Sequence, residues 1–283
     1  MAKMTFVQHE KPAKAEPETP RWVCPDEVYL NDDGNLVKIF LEDYPSSPRD
    51  MYDCLGTFYT WNRGIISPDE GPDFEQFLEQ VGIDEAELGD NLETWLPKLS
   101  WLLEQKGYAA FPVSRYEHGE VIYRVGSPSQ FPDARWDACY AGIIFASPED
   151  IEKERFGEET LEDACARMKR ILPGEVEVYS EWANGRVFGF ITYDEHGDEV
   201  PDGSCWGFYG DDPEKSGLAE EAGGLYVCSY KSLDDYLDAK ERERFVQHWK
   251  ADITDVHETL TGAQEDSVRM AMAERALEID GEG

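Results

Sequence analysis

The sequence predicts an α+β fold: a mixed antiparallel sheet with flanking helices and a helical C-terminal segment. Three observations lead there. Short apolar runs are bounded by Asn, Asp and Gly, the pattern of strands joined in hairpins. Between and after these runs, acidic and apolar residues recur at helical spacing. Hydrophobic residues make up 41% and aromatics 12% of the 283-residue chain, which allows a sizeable packed core in spite of a heavy charge.

The elements follow in order. Residues 1–24 hold Pro and Lys with no apolar periodicity and predict a disordered leader. Two apolar-rich runs flank Asn31-Asp32-Asp33-Gly34-Asn35, predicting a hairpin with strands near 27–30 and 35–41. Residues 73–81 place Phe74, Phe77, Leu78 and Val81 on one helical face. Residues 84–106 continue at helical spacing, with Pro97 beginning a new turn or helix. The segment 108–125 reads as short strands around Gly119, and 136–146 as a buried strand. Ser147-Pro148-Glu149-Asp150 has the chemistry of a helix start, predicting a helix near 148–156 and a second near 158–171. Residues 174–193 alternate about Asn184-Gly185 and predict a hairpin. A turn over Asp194–Gly203 leads into Ser204–Gly210, with Cys205 and Trp206 packed in a strand. After residue 231 the pattern is helical: Ser232 caps one helix, and residues 262–279 end the chain in another. The expected division is a leader at 1–24, an α+β core at 25–230 and a helical segment at 231–283.

Charge narrows the function. The chain has 61 Asp and Glu against 26 Lys and Arg, a net charge of −35. Like charge on this scale opposes a compact state by self-repulsion, so a role for it is expected. It repels nucleic acid and anionic membranes and attracts basic surfaces. The excess is uneven. From Asp69 to Glu104 there are eleven acids and one base, Lys98, and between Arg186 and Lys215 there is no base. Salt-adapted proteins are also acidic and poor in lysine. The abundant large aromatics and the unevenness of the charge point away from that explanation.

No familiar catalytic or metal pattern is present. The six cysteines are scattered with no CxxC pair, and the five histidines show no HxH or HExxH spacing, so no metal or other cofactor is expected. The acidic loop 194–203 lacks the ligand register of an EF-hand. Cys205 lacks a neighbouring base beyond His196, and acidic surroundings disfavour a thiolate. No apolar run reaches the length of a membrane span, and residues 1–20 lack an apolar signal core, so a cytoplasmic location is expected.

Four blocks carry a resemblance. They are Pro48-Arg49, Tyr52-Asp53 and Leu55-Gly56-Thr57; Trp136-Asp137 with Ala141–Phe145 and Ser147-Pro148-Glu149; Glu175–Tyr179 with Gly189-Phe190; and Ser204–Gly210. In that order they resemble a poorly characterised accessory protein family of phages, plasmids and mobile elements in Gram-positive gut bacteria. The resemblance spans about residues 40–210. It supplies no catalytic residues and implies a mobile-element accessory protein, a setting in which inhibitors of host defence are common.

Two readings of function follow. In the first, carboxylates on a rigid scaffold imitate the phosphates of DNA and occupy the Lys/Arg-rich groove of a nucleic-acid-binding host protein, a CRISPR effector or restriction enzyme. The acids expected to make contact form two clusters. One holds Asp69, Glu70, Asp73, Glu75 and Glu79 with Asp84, Glu85, Glu87 and Asp90. The other holds Asp194, Glu195, Asp198, Glu199 and Asp202 with Asp211 and Asp212. The second reading is an enzyme of small-molecule or nucleotide metabolism using Cys205, His118 or a carboxylate pair in a cleft. An acidic scaffolding protein is a third.

Overall fold

A computed structural model of the chain describes residues 18–62, 64–89 and 94–259, with side chains as far as His248. The described residues form two antiparallel sheets with helices against them, the α+β class read from the sequence.

The first sheet is built around the predicted N-terminal hairpin. Strands β1 (Val28–Leu30) and β2 (Leu36–Leu41) pair with Val28 opposite Lys38. The turn between them is held by the Asn35 amide donating to Asn31 Oδ1 at 3.0 Å, and Gly34 takes a left-handed φ of 78°. Next to β2 lies β7 (Val187–Tyr193), then β8 (Glu199–Tyr209), while β9 (Tyr226–Val227) borders β1.

The second sheet runs β3-β6-β4-β5: β3 (Thr57–Thr60), β6 (Ala138–Ala146), β4 (Ala109–Glu117) and β5 (Val121–Val125). Its two faces are covered differently. Ile144 points with Phe58 and Val113 toward Met168, Leu172 and Val176 of α7 (Leu161–Ala183). Its neighbours Ile143 and Phe145 point the other way. There they meet α2 (Phe74–Val81), the single turn α3 (Glu85–Leu88) and α4 (Trp95–Gln105).

The sequence explains these helices locally. Asp73 caps α2, accepting from the Gln76 amide at 2.9 Å, and Gly82 ends it in the left-handed region. Asp84 and Glu87 form a capping box on α3. Pro97 is the third residue of α4, inside the first turn, where its missing N–H has no helical partner to lose. Thr160 and Asp163 box the start of α7, as Ser147 and Asp150 do for α6 (Pro148–Lys153).

On the first sheet, Ser232 caps α9 (Leu233–Thr259), accepting from the Asp235 amide at 3.2 Å. Tyr236 of α9 is buried with Val28 and Leu36, and its hydroxyl donates to Gly34 O at 3.1 Å. The opposite face of this sheet holds Val37, Ile39, Phe188 and Phe190 with Leu218 of the short helix α8 (Leu218–Glu221).

Several expectations are corrected. The predicted hairpin at 174–193 is wrong in its first half, because residues 174–183 continue α7 to 23 residues. The buried positions Ala164, Met168, Leu172, Val176 and Tyr179 recur at helical spacing through Pro173-Gly174, and their packing overrides two helix breakers. The turn after Tyr193 is shorter than 194–203, since β8 begins at Glu199 and Asp202 lies within it at a φ of 58°. The buried strand begins at Ala138, Trp136 and Asp137 belonging to the helical turn α5 (Ala134–Asp137). The chain is packed before residue 24. Val23 is buried and its amide donates to Asp211 O at 2.8 Å, and Glu18 O accepts from Val227. The helix expected over 262–279 lies outside the described residues. Among the described residues no helix is long and apolar enough to cross a membrane.

Candidate functional site

The first acidic cluster divides by what each carboxylate does. Asp69 is turned inward. Its two oxygens take the Arg49 guanidinium as a bidentate pair, Nε to Oδ1 at 2.9 Å and Nη2 to Oδ2 at 2.6 Å, and Oδ2 also accepts from the Phe58 amide at 2.6 Å. Arg49 in turn donates to Glu175 of α7 at 2.8 Å and to Gly56 O. The Arg49 side chain is only 3% exposed. Burial opposes its charge, but the bonds to Asp69 and then Glu175 outweigh that and hold its pKa above the ordinary arginine value. Glu175 also accepts from the amides of Leu55 and Gly56. Asp69 is therefore a clamp on the short helix α1 (Pro48–Met51) and the start of β3, and not a surface contact.

Asp73, Asp84 and Glu87 are helix caps, exposed but engaged with their own backbone. Glu70, Glu75, Glu79 and Glu85 are exposed and form no salt bridge among the described residues. Glu75 and Glu79 stand four apart on α2, opposite the buried Phe77 and Leu78. A like-charge pair at that spacing costs about 0.2–0.5 kcal/mol. Asp90 lies outside the described residues. What remains is Glu75 and Glu79 on α2, Glu85 on α3 and Glu70 in the loop before α2, all exposed on the helical layer of the second sheet or beside it.

The second cluster is not one surface. Asp194 Oδ1 is occupied by the His196 and Asp198 amides at 2.8 and 3.0 Å, and these bonds, His196 first, hold its pKa below the ordinary aspartate value. Glu195, Asp198, Glu199 and Asp202 are exposed at this end of the first sheet, and Arg244 of α9 donates to Glu195 O at 3.0 Å. Asp211 and Asp212 follow the far end of β8. A strand of 11 residues separates the two ends by about 30 Å. Asp212 Oδ1 accepts from the amides of Glu214 and Lys215, and Asp211 lies beside α7.

The residues considered for catalysis are not assembled. Cys205 is in β8 of the first sheet, half-buried with Phe188 and Phe190. His118 is in the β4–β5 turn of the second sheet, 3.0 Å from Asp137. Neither lies near the other's packing cluster.

Sequence reading missed a cleft between the two sheets. It runs along α7 past Gly174 and is walled by α1 and residues 52–55 on one side and by the end of β8 on the other. Tyr52 and Tyr209 meet there edge to face at 5.9 Å. Burial, then Tyr52 and Glu42, push the Tyr209 phenol up to about 12, and burial raises Tyr52 as well, so both stay protonated at neutral pH. Cys54 lies in the same wall, its thiol pushed up by burial more than Arg49 lowers it. Among the described residues no histidine lines the cleft. The sequence signal was present in outline, since Pro48-Arg49, Tyr52-Asp53, Glu175 and Gly207–Tyr209 belong to the quoted blocks.

No protein-family model matches the chain, and neither a curated protein nor a solved structure matches it.

Proposed function

We propose that the protein is an acidic inhibitor that binds the Lys/Arg-rich groove of a host nucleic-acid-binding defence protein, of the CRISPR-effector or restriction-enzyme type. The observation that carries this reading is the set of exposed, unbridged carboxylates Glu75 and Glu79 on α2 and Glu85 on α3, with Glu70 in the loop before α2, in a helical layer packed against a sheet. Carboxylates that cap helices or hold loops answer to the fold alone. These four do not, and Glu75 and Glu79 stand together on α2 at an energetic cost. A rigid row of anions competes with phosphates for the same guanidinium and ammonium groups, and apolar contacts around it set which groove is chosen.

The test is displacement. The immobilised protein is incubated with host lysate at low salt, and bound protein is eluted with duplex DNA. The reading predicts a DNA-handling protein that duplex DNA releases and that the Glu75→Lys/Glu79→Lys variant captures poorly. Capture that DNA does not reverse contradicts it.

A further inference from the structure

We propose that the cleft along α7 receives an extended basic segment of the partner protein, with an apolar side chain at one end and Arg or Lys at the other. This rests on the partner reading above and names the second point of contact.

The cleft has two lobes that share Gly174, Val178, Tyr209 and Lys215. The first lobe has a volume of about 500 Å³ and is mainly apolar, walled by Pro48, Tyr52, Leu55, Ile171 and Val178. The second, of about 550 Å³, lies between Trp22, Tyr123 and the Asp211-Asp212 turn. Each is in the range of a pocket that holds a specific group. Residues 171 to 181 of α7 form the common floor. Ten helical steps span about 15 Å, the reach of four or five extended residues.

Charge selects the occupant. Asp53, Glu177, Asp211 and Asp212 line the lobes and form no salt bridge among the described residues. Glu175 and Glu181 are already paired, with Arg49 at 2.8 Å and Arg186 at 2.6 Å. Against these four unbridged acids stand two bases, Lys215 and Arg124, and Arg124 lies over the Phe131 ring at 5.6 Å. Three of the four acids line the second lobe, where they outnumber the two bases, so that lobe takes the cation, while the mainly apolar first lobe takes the apolar group. Ser216 lines the first lobe, and its buried Oγ has no hydrogen-bond partner among the described residues. Lys215, which lines both lobes, can donate to the carbonyl groups of a peptide backbone.

Gly174 makes the test clean. It lies inside a helix and lines both lobes, and a Cβ there meets nothing within 4 Å, so Gly174→Leu has room to start and extends into the cleft. The probe is acetyl-Phe-Ala-Arg-Ala-Arg with a C-terminal fluorophore, followed by fluorescence anisotropy. Saturable binding is expected, weakened at least roughly tenfold by Gly174→Leu and by exchange of the peptide's Arg for Glu. The variant's thermal midpoint, at or above that of the native protein, shows that it folds. Absence of saturable binding, or equal affinity in Gly174→Leu, overturns the proposal. Glu75→Lys/Glu79→Lys leaves the probe's affinity unchanged and reduces partner capture, so failure of the cleft and failure of the helical surface are told apart.

Discussion

Arg49 and Asp69, twenty residues apart, close a bidentate ion pair at 2.9 and 2.6 Å that ties the short helix before β3 to the loop after it. Glu175 completes the clamp from α7, at 13% side-chain exposure. One guanidinium thus holds three segments that meet nowhere in the sequence, and the cleft's first lobe is formed on it.

Removing that guanidinium leaves two enclosed carboxylates facing each other. Arg49→Met is expected to destabilise the fold by about 3–5 kcal/mol. Chemical denaturation reads the change as a lower midpoint.

Gly174 predicts the opposite sign. Its position is helical and its surroundings open, so Gly174→Ala gains helix propensity without strain. Stability is expected to rise by about 0.5–1 kcal/mol in the same denaturation experiment.

The tyrosines set the alkaline limit. Burial is the largest cause in pushing Tyr179, Tyr209 and Tyr236 up to about 12. A phenol whose pKa is higher folded than unfolded stabilises the fold fully below the unfolded value of about 10. That contribution is lost as pH rises through about 12. The thermal midpoint is expected to fall steadily over that window, with phenolate absorbance at about 295 nm appearing together with unfolding.

Net charge sets the response to salt. With −35 on 283 residues, screening relieves repulsion in the compact state more than in the expanded one. Moving from about 20 mM to about 500 mM NaCl is expected to raise the thermal midpoint, on the order of 2–4 °C for each kcal/mol relieved. A midpoint that falls with salt contradicts this.

Much of the fold was legible. The Asn31–Asn35 turn, the Ser147 cap and the apolar face of α2 are local signals, and each stands where the sequence put it. The second half of α7 was not legible. Pro173-Gly174 followed by Val-Glu-Val reads as breakers and alternation, while the deciding contacts come from Phe58, Val113 and Tyr123 on distant strands. The site was less legible than the fold. Sequence supplies the acids but not their partners, so Asp69 counted as a contact although Arg49 holds it inside. Asp202 and Asp211 counted as neighbours although a strand separates them. The cleft depends on Gly174, Tyr209 and Pro48 arriving together from three segments, which no local pattern encodes.

The most direct measurement of the central claim is the dissociation constant for the captured partner as a function of salt, by calorimetry on the purified pair. Carboxylates acting in place of phosphates predict an affinity that falls roughly tenfold or more between about 50 and 200 mM NaCl, with a shallower dependence for Glu75→Lys/Glu79→Lys. An affinity that stays constant across that range, in both forms, contradicts it.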